Sequence, residues 1–147
     1  PDIEVHIIGS GPDEEYYRNN AARSVIPCVF HGQMNIYSAK AGNIIKRTNI
    51  GIALYKPEPG NVSYYGDPSK IKNYLSYGLP VITTDVFEFS KIIRKSKSGE
   101  VIPYNLESFI KSARMIFTQY KKYSEQSKTL TEQYYYKKLY KKMFTEL

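Results

Sequence analysis

Short apolar runs alternate along this chain with longer segments in which apolar residues recur at helical spacing. Five of the runs predict strands, at 3–8, 25–30, 49–55, 81–84 and 100–102. The mixed segments predict six helices, at about 13–23, 33–46, 68–77, 88–95, 105–121 and 123–144. Because strands that alternate with helices pair in parallel, the pattern predicts an α/β fold whose sheet is covered by helices on both faces. Ligands of such sheets bind beyond the carboxyl ends of the strands.

The helix predicted at 68–77 has the features of an anion site at its start. Asp67 is a suitable N-cap residue, and Pro68 suits the first helical position because its missing N–H would have no partner there. The N–H groups of Ser69 and Lys70 would point out of the helix, where the dipole favours negative charge, and Lys70 adds a positive charge. Gly78 predicts a left-handed helix end. An ordinary capped helix is the alternative interpretation.

Ser69 and Asn73 lie four residues apart, so they share one face of this helix about one turn, or ~5.4 Å, apart. A phosphate at the helix start and a sugar hydroxyl at Asn73 would fit that spacing. The apolar run 81–84 then predicts a buried strand.

Composition bounds the class of protein. A chain of 147 residues with 41% hydrophobic residues predicts one domain, 1–147, with a real core. No apolar run reaches the roughly 18 residues of a membrane span. The start has no signal-peptide pattern and no Met, so we expect a fragment of a longer protein. Cys28, the single cysteine, excludes an internal disulfide and suits the cytoplasm; we expect it to be a buried, inert thiol rather than a reactive one.

The formal net charge of +7 favours anionic partners without choosing among them. Aromatic and basic residues alternate at helical spacing in the tail, 134–144. Three interpretations are open for this tail: packing against a partner domain, which we favour, a helix on an anionic membrane surface, or a nucleic-acid patch.

Several short segments lie along the chain in a characteristic order and spacing. In the central region these pieces are Pro68-Ser69-Lys70-Ile71, Tyr74-Leu75, Gly78-Leu79-Pro80-Val81-Ile82 and Thr84-Asp85. The flanking pieces are the strand and turn at 5–12, which contains Gly-Ser-Gly-Pro, the sequence Val-Phe-His-Gly at 29–32, and Gly-Glu-Val-Ile-Pro at 99–103. In this order and spacing, which covers almost the whole chain, the pieces together resemble the group 1, glycogen-synthase-like glycosyltransferases.

The resemblance implies a Rossmann-like domain that forms one half of a GT-B architecture, namely the C-terminal, donor-binding half. It implies transfer of a hexose-type sugar from a nucleoside diphosphate sugar, with retention of configuration, to a polysaccharide or glycolipid acceptor. The N-terminal acceptor domain would be absent from this chain, so we expect the fragment alone to turn over little. We expect a cytoplasmic location, with the inner face of the membrane as an alternative.

The resemblance places the donor site at residues from several turns. These are Ser10, Gly11, His31, Gly32, Tyr64, Tyr65, Gly66, Ser69, Lys70 and Asn73. The family commonly carries two glutamates in this region, and this chain has Tyr65 and Asn73 at their positions. Asn73 can still hydrogen-bond a ribose hydroxyl, but it carries no charge. No catalytic residue is assigned.

The remaining residues argue against other classes of site. Glu14 stands where a dinucleotide fingerprint needs its third glycine after Gly9 and Gly11, which argues against an NAD site. His6 is interpreted as structural, and the two histidines and one cysteine are not at metal-ligand spacing, so no metal and no cofactor are expected. An epimerase-like domain or a non-catalytic nucleotide-binding module is the main alternative function. A receiver-like domain would need an acidic cluster after the first strand, and nucleic-acid binding would rest on charge alone.

Overall fold

The computed structural model describes residues 3–58, 60 and 62–134. It divides into two compact units, Pro1–Arg47 and Thr48–Leu147, which we call the N-terminal unit and the C-terminal unit. The prediction of one domain stays a prediction. No helix in the described part of the chain is long and apolar enough to cross a membrane.

The N-terminal unit pairs two short parallel strands. Its elements are β1 (Val5–Ile7), α1 (Glu14–Ala21), β2 (Cys28–Phe30) and α2 (Ala39–Lys46). The guanidinium of Arg18 in α1 lies 4.5 Å from the centre of the Phe30 ring, so α1 covers the sheet face that carries Phe30. Neighbouring residues of a strand point to opposite faces. Val29 and His6, which are register partners, therefore lie on the other face, and His6 is exposed.

Several predictions for this unit are wrong in detail. β1 is shorter than the predicted strand 3–8, and its middle residue, the polar His6, is exposed. β2 begins at Cys28, and Val25 is 98% exposed, because the N–H of Ile26 bonds to the Ser24 hydroxyl in a local turn. Cys28 is half-buried rather than buried, and its thiol approaches the carbonyl of Ile26.

Helix α2 begins six residues later than predicted, at Ala39. The Ser38 hydroxyl accepts a hydrogen bond from the N–H of Ala41 and so caps the helix there. Upstream, the Asn35 side chain accepts from the N–H of Tyr37, which stabilises a turn in place of a first helical turn.

The C-terminal unit holds a three-stranded parallel sheet in the order β3-β4-β5. Its strands are β3 (Gly51–Ala53), β4 (Val81–Thr84) and β5 (Gly99–Ile102), and its α-helices are α3 (Ser69–Ser76), α4 (Phe89–Ser96), α5 (Leu106–Thr118) and α6 (Tyr120–Gln133). A short 3-10 helix, Val62–Tyr65, precedes α3.

Both faces of this sheet are covered. Val81 packs in one cluster with residues of α3, α4 and α6, among them Ile71, Ile93 and Leu130. Its neighbour Ile82 points the other way and packs against Ile116 of α5. All four residues of β4 are buried, and the hydroxyls of its two threonines, Thr83 and Thr84, donate to the carbonyls of Ala53 and Tyr55. The predicted parallel α/β, Rossmann-like fold with helices on both faces is confirmed.

The connection from α3 to β4 follows the predicted chemistry. Gly78 has a φ of +72°, and its N–H bonds to the carbonyl of Leu75 while the N–H of Leu79 bonds to that of Tyr74. This pair of bonds is a Schellman motif, and it satisfies carbonyls that the helix end would otherwise leave unpaired.

The start of α5 agrees with the prediction. Asn105 caps α5 as predicted, with its side chain accepting from the N–H of Ser108. Phe109, Ala113 and Ile116 pack against the sheet, but Phe117 is exposed. The aromatic and basic tail lies outside the described residues, apart from Tyr134.

Candidate functional site

The start of α3 is the centre of the predicted site. Because α3 connects two parallel strands, β3 and β4, its N-terminus lies at the carboxyl edge of the sheet, where ligands of such folds bind. Asp67 does not cap this helix, so that prediction is wrong: the N-cap residue is Pro68, and no side chain caps the helix. The N–H of Ser69 is also engaged, since it donates to the Asp67 carbonyl at 2.9 Å.

Other donors remain at this helix start. The N–H groups of Lys70 and Ile71 have no acceptor among the described residues, so they remain available to a ligand. The Lys70 ammonium is exposed and makes no ion pair there. The nearby Asp67 carboxylate is paired with Lys72, so its charge is largely compensated. The start of α3 therefore carries net positive potential.

One face of α3 carries the predicted pair of polar side chains. Ser69 is exposed and Asn73, one turn on, is half-buried. The carbonyl of Asn73 accepts from the Ser76 hydroxyl at 2.7 Å, whereas its side-chain amide has no partner among the described residues. This amide is thus available both as a donor and as an acceptor.

The residues before α3 form an accessible turn. Tyr64 and Tyr65 end the 3-10 helix, and Gly66 follows. The Tyr65 side chain is 94% exposed. Its hydroxyl is therefore free to reach a ligand.

The N-terminal unit brings its four predicted residues to one sheet edge. The N–H of Gly9 donates to the carbonyl of Gly32 at 2.9 Å, which ties together the turns after β1 and β2. Within these turns the Ser10 hydroxyl reaches the amide oxygen of Gln33 at 3.5 Å, a long hydrogen bond. The carbonyl of Gly11 accepts from the N–H of Glu14 and starts α1.

His31 has a partner that the sequence pattern did not indicate. It follows β2, and its Nε2 lies 2.9 Å from Nδ1 of His6, the histidine interpreted as structural. His6 in turn lies beside Glu4, with Nε2 3.3 Å from a carboxylate oxygen. The register of β1 and β2 could have revealed this contact, but the register is not fixed by a single sequence.

The ten predicted residues thus fall into two sets, each assembled within its own unit. Four lie at the edge of β1 and β2, and six lie around the start of α3.

A cavity of about 250 Å³ at the ends of β4 and β5 was not predicted. Its lining includes Thr84, Asp85, Arg94 and Tyr104. Asp85 accepts a short hydrogen bond from Ser90 and pairs with Arg94 at 3.2 Å. The Ser90 hydroxyl, and after it the Arg94 guanidinium, lower the pKa of the Asp85 carboxyl, although partial burial opposes them. The polar residue directly after β4 was the available signal for this cavity.

No group of three histidine, cysteine or acidic side chains in the described ranges is placed to hold a metal ion. The predictions of no metal and no cofactor stay predictions.

The comparison that bears on this fold is structural. The chain is similar to WaaG, a glycosyltransferase involved in lipopolysaccharide biosynthesis. The TM-score is 0.63 at 16% sequence identity, and the match covers 88% of this chain and 33% of the WaaG chain. At this identity the similarity establishes a glycosyltransferase-like fold. No protein-family model matches the sequence, and no curated protein matches it significantly.

Proposed function

We propose that this chain is the donor-binding, C-terminal domain of a GT-B glycosyltransferase that uses a nucleoside diphosphate sugar. The glycosyltransferase-like fold supports this proposal, and so does the coverage, since the chain spans about one third of the WaaG chain. The acceptor domain and the opposite wall of the cleft would belong to a further part of the protein. The chain alone should therefore turn over little or no substrate.

The start of α3 is the observation that carries the proposal. Sugar transfer releases a nucleoside diphosphate, so negative charge grows on the pyrophosphate in the transition state. The N–H groups of Lys70 and Ile71, together with the unpaired Lys70 ammonium, would stabilise that charge without reorganisation. Ser69 and Tyr65 would add hydroxyl donors to the phosphates or the transferred sugar.

In the C-terminal unit, Asn73 has an unused amide that suits a ribose hydroxyl. In the N-terminal unit, the turns at Ser10 and His31 are candidate contacts for a nucleoside on the family resemblance alone. Retention of configuration and a polysaccharide or glycolipid acceptor follow only from the family resemblance. An anionic membrane surface is a further proposed partner, and nucleic acid is not.

A non-catalytic nucleotide-binding module is the second candidate, and one observation favours it. Asn73 and Tyr65 stand where the related enzymes commonly carry glutamates. A neutral amide can bind a ribose, but it supplies no carboxylate for electrostatic or acid–base work. An epimerase-like domain has less support, because it would need additional acid–base groups in the cleft.

Thermal unfolding with nucleotides tests the proposal. UDP, GDP and ADP and their sugars are added at about 100 times the dissociation constant, where binding stabilises by roughly 2.7 kcal/mol and raises Tm by several degrees. We expect one base to give this shift and Lys70→Ala to reduce it to less than half.

The matched control is Lys111→Ala, which removes an exposed lysine from α5 and should leave the shift unchanged. A wild-type chain that responds to none of the three nucleotides would contradict the proposal. Strong binding with unaltered affinity in Lys70→Ala would place the phosphates elsewhere.

A further inference from the structure

Three titratable residues share the open face of the β1–β2 sheet. Glu4 directly precedes β1, and His6, two residues later, is the middle residue of that strand. His6 is the register partner of Val29, and His31 lies two residues beyond Val29. Since alternate residues point to the same face, the register alone brings these three side chains together. Arg18 and Glu14, the charged pair of α1, lie on the opposite face.

The two imidazole rings meet edge to edge. Their planes differ by 10° and their centres are 5.2 Å apart, while Nδ1 of His6 and Nε2 of His31 are separated by only 2.9 Å. Stacked rings keep their planes about 3.5 Å apart. The shorter nitrogen separation is thus possible only if the rings lie side by side, joined by an N–H···N hydrogen bond.

Glu4 favours one direction of that bond. Its carboxylate lies 3.3 Å from Nε2 of His6 in an ion-pair contact, and a negative oxygen at that distance favours a proton rather than a lone pair on Nε2. A neutral imidazole has one donor and one acceptor, and Nδ1 of His6 is consequently the acceptor. Nε2 of His31 must then be the donor, and Nδ1 of His31 is left with an unprotonated lone pair. This nitrogen has no partner among the described residues.

We propose that Glu4 and His6 are positioning residues that hold His31 as a hydrogen-bond acceptor for an N–H or O–H group of the bound ligand. The choice of ligand rests on the proposed function, in which the donor group belongs to the nucleoside. His31 follows β2 directly, and Gly32 joins its turn to the one at Gly9, so this acceptor lies at the edge where the other candidate residues of the unit are found. We call the contact of Glu4 with His6 and the hydrogen bond from His31 to His6 the relay. The direction of its hydrogen bond does not depend on any ligand.

Nitrogen NMR of the whole chain tests the relay directly. At about pH 8, above the ordinary titration range of histidine, we expect a coupling across the hydrogen bond between Nε2 of His31 and Nδ1 of His6. We also expect the chemical shift of an unprotonated nitrogen at Nδ1 of His31. Absence of the coupling, or a protonated Nδ1, would overturn the proposal.

Two pairs of variants separate positioning from packing. Glu4→Gln keeps the size of the side chain but removes its charge, so it allows the hydrogen bond between His6 and His31 to reverse and should protonate Nδ1 of His31 in part. His6→Asn retains an acceptor near the position of Nδ1, whereas His6→Leu does not. A fixed His31 tautomer in Glu4→Gln, or equal His31 signals in His6→Asn and His6→Leu, would contradict the relay.

Binding of UDP, GDP and ADP completes the test. We expect about tenfold weaker binding of the preferred nucleotide in His6→Leu, the loss of one hydrogen bond, a smaller loss in Glu4→Gln, and near-normal binding in His6→Asn. Equal affinity in all variants would overturn the role toward the ligand. If no nucleotide binds the wild-type chain while the coupling is present, the proposed function and its ligand fall, and the positioning of His31 is supported.

Discussion

Both units alternate short parallel strands with helices, yet they bury those strands to different extents. β1 and β2 contain no buried residue, and within residues 3–47 the buried ones, Ala41, Gly42 and Ile45, are all in α2. In the C-terminal unit β4 is buried throughout and lies between two apolar clusters. The same alternation of strands and helices therefore occurs with half-exposed strands in the N-terminal unit and with a fully buried strand in the C-terminal unit.

The difference suggests a division of labour between the two candidate sets of residues. α3 rests on a packed sheet through Ile71 and Leu75, so the groups at its start are held by the main core. The turns at Gly9 and Gly32 are held chiefly by backbone hydrogen bonds and by the two histidines. We expect the first set to be rigid, which suits electrostatic stabilisation of a phosphate, and the second to adjust to its ligand.

Two glycines give the largest contrast between the units. A Cβ at Gly99 would overlap the backbone and side chain of Val81, whereas one at Gly11 would meet nothing within 4 Å. We expect Gly99→Ala to lower the free energy of unfolding by about 3 kcal/mol and Gly11→Ala to change it by less than about 0.5 kcal/mol. Urea unfolding measures both. Equal losses would show that the N-terminal turn is as tightly packed as the core sheet.

Amide hydrogen exchange compares the strands themselves. The hydrogen bonds of β4 lie inside a buried sheet, while those of β1 and β2 lie in a two-stranded sheet without a buried residue. We expect exchange at Ile82 and Thr83 to be at least about 100-fold slower than at Val29 and Phe30. Similar protection in both sheets would mean that the units open together, and the contrast drawn from burial would fail.

Much of the C-terminal unit could be predicted because its local signals agree. All four residues at 81–84 are β-branched, Gly78 ends α3 and Asn105 caps α5, and each feature has one simple structural outcome. In the N-terminal unit the local signals compete. The apolar residue Val25 reads as a strand, but Ser24 and Pro27 favour a turn, and the turn prevails.

The candidate site was only partly predictable for a related reason. The start of α3 could be located because capping and charge are local properties of a few consecutive residues. The contact between His6 and His31 spans 25 residues and depends on strand register. The cavity beside Asp85 likewise depends on which strands are neighbours. Such non-local contacts are set by tertiary packing and are not encoded in any single window of sequence.

The ends of α4 and α2 provide a smaller test. Lys97 ends α4 with a φ of +55°, a left-handed conformation that glycine adopts without strain, while Arg47 ends α2 with a φ of −93°. We expect Lys97→Gly to stabilise the protein by about 1 kcal/mol and Arg47→Gly to destabilise it by about 0.5 kcal/mol. Thermal unfolding of both variants measures this difference. A loss of stability in Lys97→Gly would mean that the lysine side chain contributes more than its backbone strain costs.

The smallest effect concerns Asp85, whose pKa is lowered first by the Ser90 hydroxyl and then by Arg94. An acid with a lower pKa in the folded state stabilises the fold above its unfolded pKa of about 4, and this contribution disappears as the pH falls through the folded-state pKa. Ser90→Ala should raise that pKa and remove about 0.5 kcal/mol of pH-dependent stability, a small amount because the Asp85 side chain is 56% exposed.

Urea unfolding between about pH 2 and pH 7 gives the sign of this effect. The deficit of Ser90→Ala relative to the wild type should be largest above about pH 5 and should shrink toward pH 2. Ser127→Ala is the control, because the hydroxyl of this buried serine donates to the carbonyls of Ser98 and Tyr123, which do not titrate. Its deficit should not change with pH. A constant deficit in Ser90→Ala as well would mean that Ser90 supports packing alone, and that the carboxylate beside the cavity is controlled by Arg94.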